Sequence, residues 1–216
     1  MNPCFNQFAE LHYFRDGSIP SRDETSGAVL AEILIGNREQ PVPVLASFIS
    51  PWPLATGSVF DVECRNPKTG DGAFLAITES TNGKSNVKDV PDSFFLDDLF
   101  QPYGRFSFYG PPTDIKVRKS YTEEETNKKV IEVSFSSLSQ STQSEIPRIA
   151  IISATIPKGT ENAVMLVASA SASRWKKGAE SAIRSTIDSF RVVLAPKSSL
   201  KMRPRDRSNS NAVVSM

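Results

Sequence analysis

The chain has 216 residues, of which 39% are hydrophobic, enough for one globular domain with one core but little more. It carries 25 basic and 24 acidic residues, and this balance excludes a general nucleic-acid binder, which needs surplus positive charge to displace phosphate counterions. No stretch reaches the roughly 18 apolar residues that span a bilayer. The best apolar run, residues 28–35, is interrupted by Glu32 and is too short for the apolar core of a signal peptide.

The beginning of the chain shows little regular patterning. Residues 1–43 lack sustained periodicity, so we predict a poorly structured lead-in there. Residues 44–50 predict a strand that ends at the Pro-Trp-Pro of residues 51–53. Trp52 in this segment fits either a packed corner or part of a partner surface.

A hairpin follows. Residues 59–64 alternate between apolar and acidic, which places Cys64 on the apolar face, and residues 73–78 are apolar on both faces. The intervening RNPKTGDG is rich in turn residues. The pattern therefore predicts two antiparallel strands with Cys64 facing the core.

The middle of the chain predicts a short helix and four strands. Residues 91–100 place Phe95 and Leu99 one helical turn apart. Short apolar or alternating runs then predict strands that include residues 115–121, 131–135, 148–156 and 163–172.

The last element is predicted to be a long helix with Ser173 as its N-cap. Apolar residues recur every three or four positions along it, namely Trp175, Ala179, Ile183, Ile187 and Phe190. Residues 192–194 close the domain, and residues 195–216 are predicted to be a disordered basic tail because they offer almost nothing to bury.

This order predicts an α+β fold in which an antiparallel β-sheet is flanked by helices, since neighbouring strands are joined by short turns. Strands that are apolar on both faces need cover on both sides. The predicted domain spans residues 44–194.

The end of this domain resembles the PsbP family. In that family a strand leads into an R-W-x-K-G-A segment that opens the last helix, and the helix ends in Ser-Phe. Here the segment contains Arg174, Trp175, Lys177, Gly178 and Ala179, and the ending is Ser189 and Phe190. Looser similarities upstream include SPWPL at residues 50–54 and RFSFYGPP at residues 105–112. The resemblance covers about residues 44–194.

The resemblance implies a PsbP/Mog1-like α-β-α sandwich and residence in the thylakoid lumen of the chloroplast, peripheral to the membrane. It further implies a non-enzymatic role in photosynthesis with photosystem II subunits or assembly intermediates as partners, either as an accessory of the oxygen-evolving complex or as an assembly factor. Calcium is implied only at the level of the photosystem complex. The metal-associated His and Asp of the oxygen-evolving subunit have no counterpart near Arg148 or Ser173, so no metal site is carried over.

The chemistry visible in the sequence is sparse. The only histidine, His12, precedes the predicted domain, whereas a nucleophile needs a base held rigidly beside it. We therefore expect no enzyme, no catalytic or cofactor-binding residues and no small-molecule substrate. Cys4 and Cys64 form no C-x-x-C pair, which argues against a structural zinc site and leaves open whether they are free thiols or a disulfide.

A basic cluster on the final helix is the candidate partner-binding surface. It consists of Arg174, Lys176, Lys177 and Arg184. The simpler alternative is that these side chains form the solvent-exposed face of the helix and bind no partner, with Glu180 and Arg184 as an i,i+4 pair. Two other functions stay open: a Mog1-like protein that binds a small GTPase, and a small α+β hydrolase.

Overall fold

Short runs of alternating apolar residues fold into strands that pair antiparallel throughout. The computed structural model describes residues 19–36, 40–55, 62–101, 105–107, 110–139, 142 and 144–196. In chain order the elements are β1 (Ile19–Arg22), β2 (Ala28–Gly36), β3 (Pro41–Ile49), β4 (Glu63–Arg65), β5 (Gly72–Ser80), α1 (Asp92–Phe100), β6 (Thr113–Glu123), β7 (Lys128–Leu138), β8 (Glu145–Thr155), β9 (Asn162–Ser171), α2 (Ala172–Arg174), a π-helical turn (Trp175–Ala179), α3 (Glu180–Asp188) and β10 (Arg191–Leu194).

Within the described residues the strands form two sheets. One has the order β1-β2-β3-β10, and the other has the order β4-β5-β9-β8-β7-β6. With α1 and α3 packed on them, the predicted α+β class with antiparallel sheet flanked by helices is confirmed. The sheets are two rather than one because residues 19–36, which we expected to be unstructured, supply two strands.

The prediction of a poorly structured lead-in over residues 1–43 is therefore wrong from Ile19 onwards, while residues 1–18 lie outside the described residues. That prediction rested on the lack of sustained periodicity, since residues 28–35 are apolar at every position except Glu32. In β2, Val29, Ala31 and Ile33 are buried, and Glu32 lies on the opposite face. An acidic residue at an alternate position does not interrupt a strand, since successive side chains point to opposite faces.

The six-stranded sheet separates two apolar cores. One core lies between this sheet and the other, and includes Phe48, Leu166 and Phe190. The second lies between the six-stranded sheet and α1, and includes Phe95 and Phe135. Strands β8 and β9 are apolar on both faces because they border both cores, as their sequences predicted.

The predicted hairpin of β4 and β5 is confirmed, although residues 59–61 lie outside the described residues. Cys64 pairs with Ala73 and is fully buried as a free thiol, and burial raises its pKa above 9.0. The backbones approach so closely here that a Cβ on Gly72 would lie 2.3 Å from the carbonyl oxygen of Cys64. Only glycine fits at this position without a backbone shift.

The last helix is broken, contrary to the prediction of one continuous helix capped by Ser173. Ser171, not Ser173, occupies the N-cap position of α2, and no side-chain hydrogen bond caps it. Gly178 has a φ of +108°, which interrupts the helix before α3 begins. The apolar stripe survives this break, because Trp175, Ile183 and Ile187 are all buried.

Candidate partner-binding surface

The first residue of the predicted basic cluster, Arg174, is held by a buried acid. Its Nε donates to Asp71 Oδ2 at 2.6 Å, and the Asp71 side chain is only 2% exposed. Asp71 ends the turn between β4 and β5. The other carboxylate oxygen, Asp71 Oδ1, is buried and has no hydrogen-bond partner among the described residues. The ion pair therefore ties the start of the final helical region to the β4–β5 hairpin.

Arg184 lies at the centre of a second ionic network. Its Nη2 is 2.8 Å from Glu132 Oε2 on β7 and 2.8 Å from Glu180 Oε1 one helical turn before it. Arg118 of β6 binds the other oxygen of Glu132 at 2.9 Å. Burial alone would lower the pKa of Arg184, but hydrogen bonds to Glu132 and Glu180 outweigh it and raise the pKa above its usual value. Glu132 thus links α3 to the outermost strand of the sheet.

Lys176 and Lys177 differ from the two arginines. Both are exposed in the π-helical turn, and neither forms an ion pair with any residue that the structure describes. Trp175, which directly precedes them, is buried in the larger core and has the Arg184 guanidinium 5.9 Å from its ring centroid. The predicted cluster therefore divides into two arginines that stabilise the fold and two lysines that are available for contact.

A second group of basic residues on β6 was not among the predicted site residues. Lys116, Arg118 and Lys119 lie on this strand, and every residue from 113 to 121 is exposed. Strand β6 is the edge of the sheet, and its apolar residues Ile115, Val117 and Tyr121 are exposed as well. The sequence signal that could have indicated this exposed edge is the presence of three basic residues within four positions, since lysines are common on exposed edge strands.

The interior next to this edge contains two adjacent lysines in different environments. Lys129 donates to the carbonyl oxygen of Val90 at 2.5 Å and to Asp92 Oδ1 at 2.8 Å, which ties β7 to α1. Lys128 points to the other side of the sheet and has no ion pair among the described residues. Burial, with a contribution from Arg191, lowers its pKa below 10.5.

The other features that the sequence singled out do not join this surface. Trp52 is buried, which supports the packed-corner interpretation. His12, Cys4 and residues 197–216 lie outside the described residues. Within the described ranges, His, Cys, Asp and Glu do not gather in any group of three or more that could hold a metal ion. Nor is any helix in this part of the chain long and apolar enough to cross a membrane.

Similarity to known proteins is found among solved structures. No family model matches the chain, and no curated protein matches it. Among solved structures it is similar to the solution structure of cyanobacterial PsbP from Synechocystis sp. PCC 6803, at 12% sequence identity and a TM-score of 0.42. The match covers 89% of this chain and 98% of the cyanobacterial protein.

Proposed function

We propose that this chain is a non-enzymatic PsbP-like protein of the thylakoid lumen that binds photosystem II or one of its assembly intermediates. The observation that carries the proposal is the segment from Arg174 to Ala179, whose sequence resembles the opening of the last PsbP helix. In the structure this segment combines a buried anchor, Trp175, with two exposed lysines, Lys176 and Lys177. Such a combination suits a contact surface, because the backbone is fixed while the charges face water.

The two ionic networks support this view by fixing the turn at both ends. The pair between Arg174 and Asp71 holds the residue before Trp175, and the network around Arg184 holds α3 after Gly178. The two lysines therefore occupy a short turn between two anchored points. Preorganised charges lose less conformational freedom on binding than charges on a mobile tail.

The expected partner surface is acidic and faces the lumen. The chain as a whole has a net charge of +1, so attraction to an acidic surface depends on where its positive charges are placed. Contacts between exposed charges are steered by electrostatics and screened by salt, with a Debye length of about 8 Å at physiological ionic strength. Binding should therefore weaken steadily as the salt concentration rises.

The test is a binding assay with isolated photosystem II membranes across a salt series. We expect the double variant Lys176→Glu and Lys177→Glu to bind about tenfold or more weakly at low salt, because two attractive contacts become repulsive. The matched control is Lys84→Glu with Lys158→Glu, which changes the net charge equally at two exposed loop positions near the end of β9 opposite to the π-helical turn. Circular dichroism checks that both variants remain folded.

Two results would overturn the proposal. One is equal binding of both double variants and the unaltered protein at every salt concentration, which would show that Lys176 and Lys177 make no contact. The other is the absence of any binding to photosystem II membranes at low salt, where the attraction between opposite charges is strongest.

A further inference from the structure

Strand β6 offers a long unpaired edge. It is the last strand in the order β4-β5-β9-β8-β7-β6 and runs over 11 residues, Thr113–Glu123. On its outer side, no strand among the described residues pairs with it. In an antiparallel edge strand, alternate residues direct their backbone N–H and C=O groups away from the sheet, where another strand can bind them.

The geometry of this edge changes along its length. The pairing of β6 with β7 shifts between Thr113 and Lys116 and again between Val117 and Lys119, which indicates bulges. From Lys119 to Glu123 the pairing is regular, residue against residue. The second half of β6 therefore provides a regularly paired stretch to which a further strand can add, while bulges interrupt the first half.

The charge on β6 decides which kind of strand would pair there. Three basic residues, Lys116, Arg118 and Lys119, occupy the middle of the strand, while the acidic residues Asp114 and Glu123 lie towards its ends. A second copy of β6 paired antiparallel would set these basic residues against one another. Like charges opposite each other destabilise a pair of strands, so self-pairing is disfavoured.

An acidic strand would be attracted to these basic residues rather than repelled by them. Lys116 and Lys119 have no ion pair among the described residues, and the Lys119 ammonium lies 4.9 Å from the ring centroid of Tyr121. Exposed Ile115 and Val117 add apolar surface on the same strand. Acidic side chains on one face of an added strand would lie beside Lys116 and Lys119, and apolar side chains on its other face would lie beside Val117.

We propose that β6 is a docking edge to which an extended acidic segment of a partner protein adds as a further strand. This surface is separate from Lys176 and Lys177, and the inference holds whether or not the partner belongs to photosystem II. Its recognition would combine backbone hydrogen bonds with charge complementarity, whereas the proposed contact of the π-helical turn depends on charge alone.

The test uses three short fluorescent peptides and the full chain. The first peptide alternates glutamate with valine, the second alternates lysine with valine, and the third keeps the glutamates but replaces the valines with proline, which has no backbone N–H. Fluorescence anisotropy measures their binding, and hydrogen exchange with mass spectrometry locates it. We expect only the first peptide to bind, with increased protection of amides in residues 113–123.

Variants separate this inference from the proposed function. Lys116→Glu with Lys119→Glu should weaken binding of the glutamate–valine peptide about tenfold or more, while Lys176→Glu with Lys177→Glu should leave it within about twofold. Equal binding of the proline peptide would show that charge alone acts and would overturn strand addition. Equal binding of the lysine peptide or no binding of any peptide would also overturn the inference. So would a dimer of the unaltered chain, seen in sedimentation, in which hydrogen exchange shows that the amides of residues 113–123 are already protected.

Discussion

The ionic network around Glu132 gives the sharpest stability prediction. Its side chain is 10% exposed and binds Arg118 and Arg184 through different oxygens at 2.9 and 2.8 Å. Glu132→Gln keeps the volume but places an NH₂ donor against one of two guanidinium groups. Both arginines are nearly half exposed and can turn towards water, so each contact is worth about 1 kcal/mol, not the roughly 3–5 kcal/mol of breaking a fully buried pair.

The expected loss is therefore about 2 kcal/mol in the free energy of unfolding, which corresponds to a fall in Tm of about 4–8 °C for a chain of this size. Urea and thermal denaturation followed by circular dichroism measure it. Glu180→Gln is the control, because its i,i+4 pair with Arg184 should be worth only about 0.3–0.5 kcal/mol. If the two variants lose the same amount, Glu132 does not link α3 to β6 as described, and the reasoning fails.

Further predictions concern buried groups near the same surface. Trp175→Ala should cost about 3–5 kcal/mol because the indole is buried in the larger core, and a loss under about 1 kcal/mol in denaturant melts would contradict its anchoring role. Lys129→Met should cost about 2 kcal/mol, since it leaves Asp92 without its ion-pair partner. Lys128→Met should instead stabilise the protein by up to about 1 kcal/mol, because it removes a buried ammonium whose pKa is lowered. That gain should shrink as the pH rises towards 10.5, since folded Lys128 then loses its proton before the unfolded chain does. Equal effects of the two lysine changes, or a gain independent of pH, would refute this difference.

Much of the fold follows from the sequence because period-two and continuous apolar patterns mark strands directly. Strands β8 and β9 are predictable, since few other elements need apolar residues on both faces. Strand β2 was not predicted because the first 43 residues as a whole lack sustained periodicity, although its single polar residue, Glu32, lies on the outer face as is normal in a strand. The break at Gly178 is a conformational choice that helical periodicity alone does not reveal, because the apolar stripe continues across it.

The candidate surface was only partly predictable for a different reason. Sequence shows that Arg174, Lys176, Lys177 and Arg184 are basic, but not which of them meet carboxylates from distant strands. Asp71 and Glu132 lie 103 and 52 residues away from the arginines that they bind. Pairing over such separations is set by the tertiary fold, so the division into two structural arginines and two exposed lysines appears only in three dimensions.

The measurement that tests the central claim most directly is the location of the native protein. Cells that express the chain are separated into nuclear, cytosolic and chloroplast fractions, and thylakoids isolated from the chloroplasts are treated with protease before and after the membranes are ruptured. A lumenal photosystem-associated protein should co-purify with thylakoids, resist the protease until rupture, and be released by salt once the lumen is open. Recovery in the nuclear or cytosolic fraction, or digestion on intact thylakoids, would contradict the account.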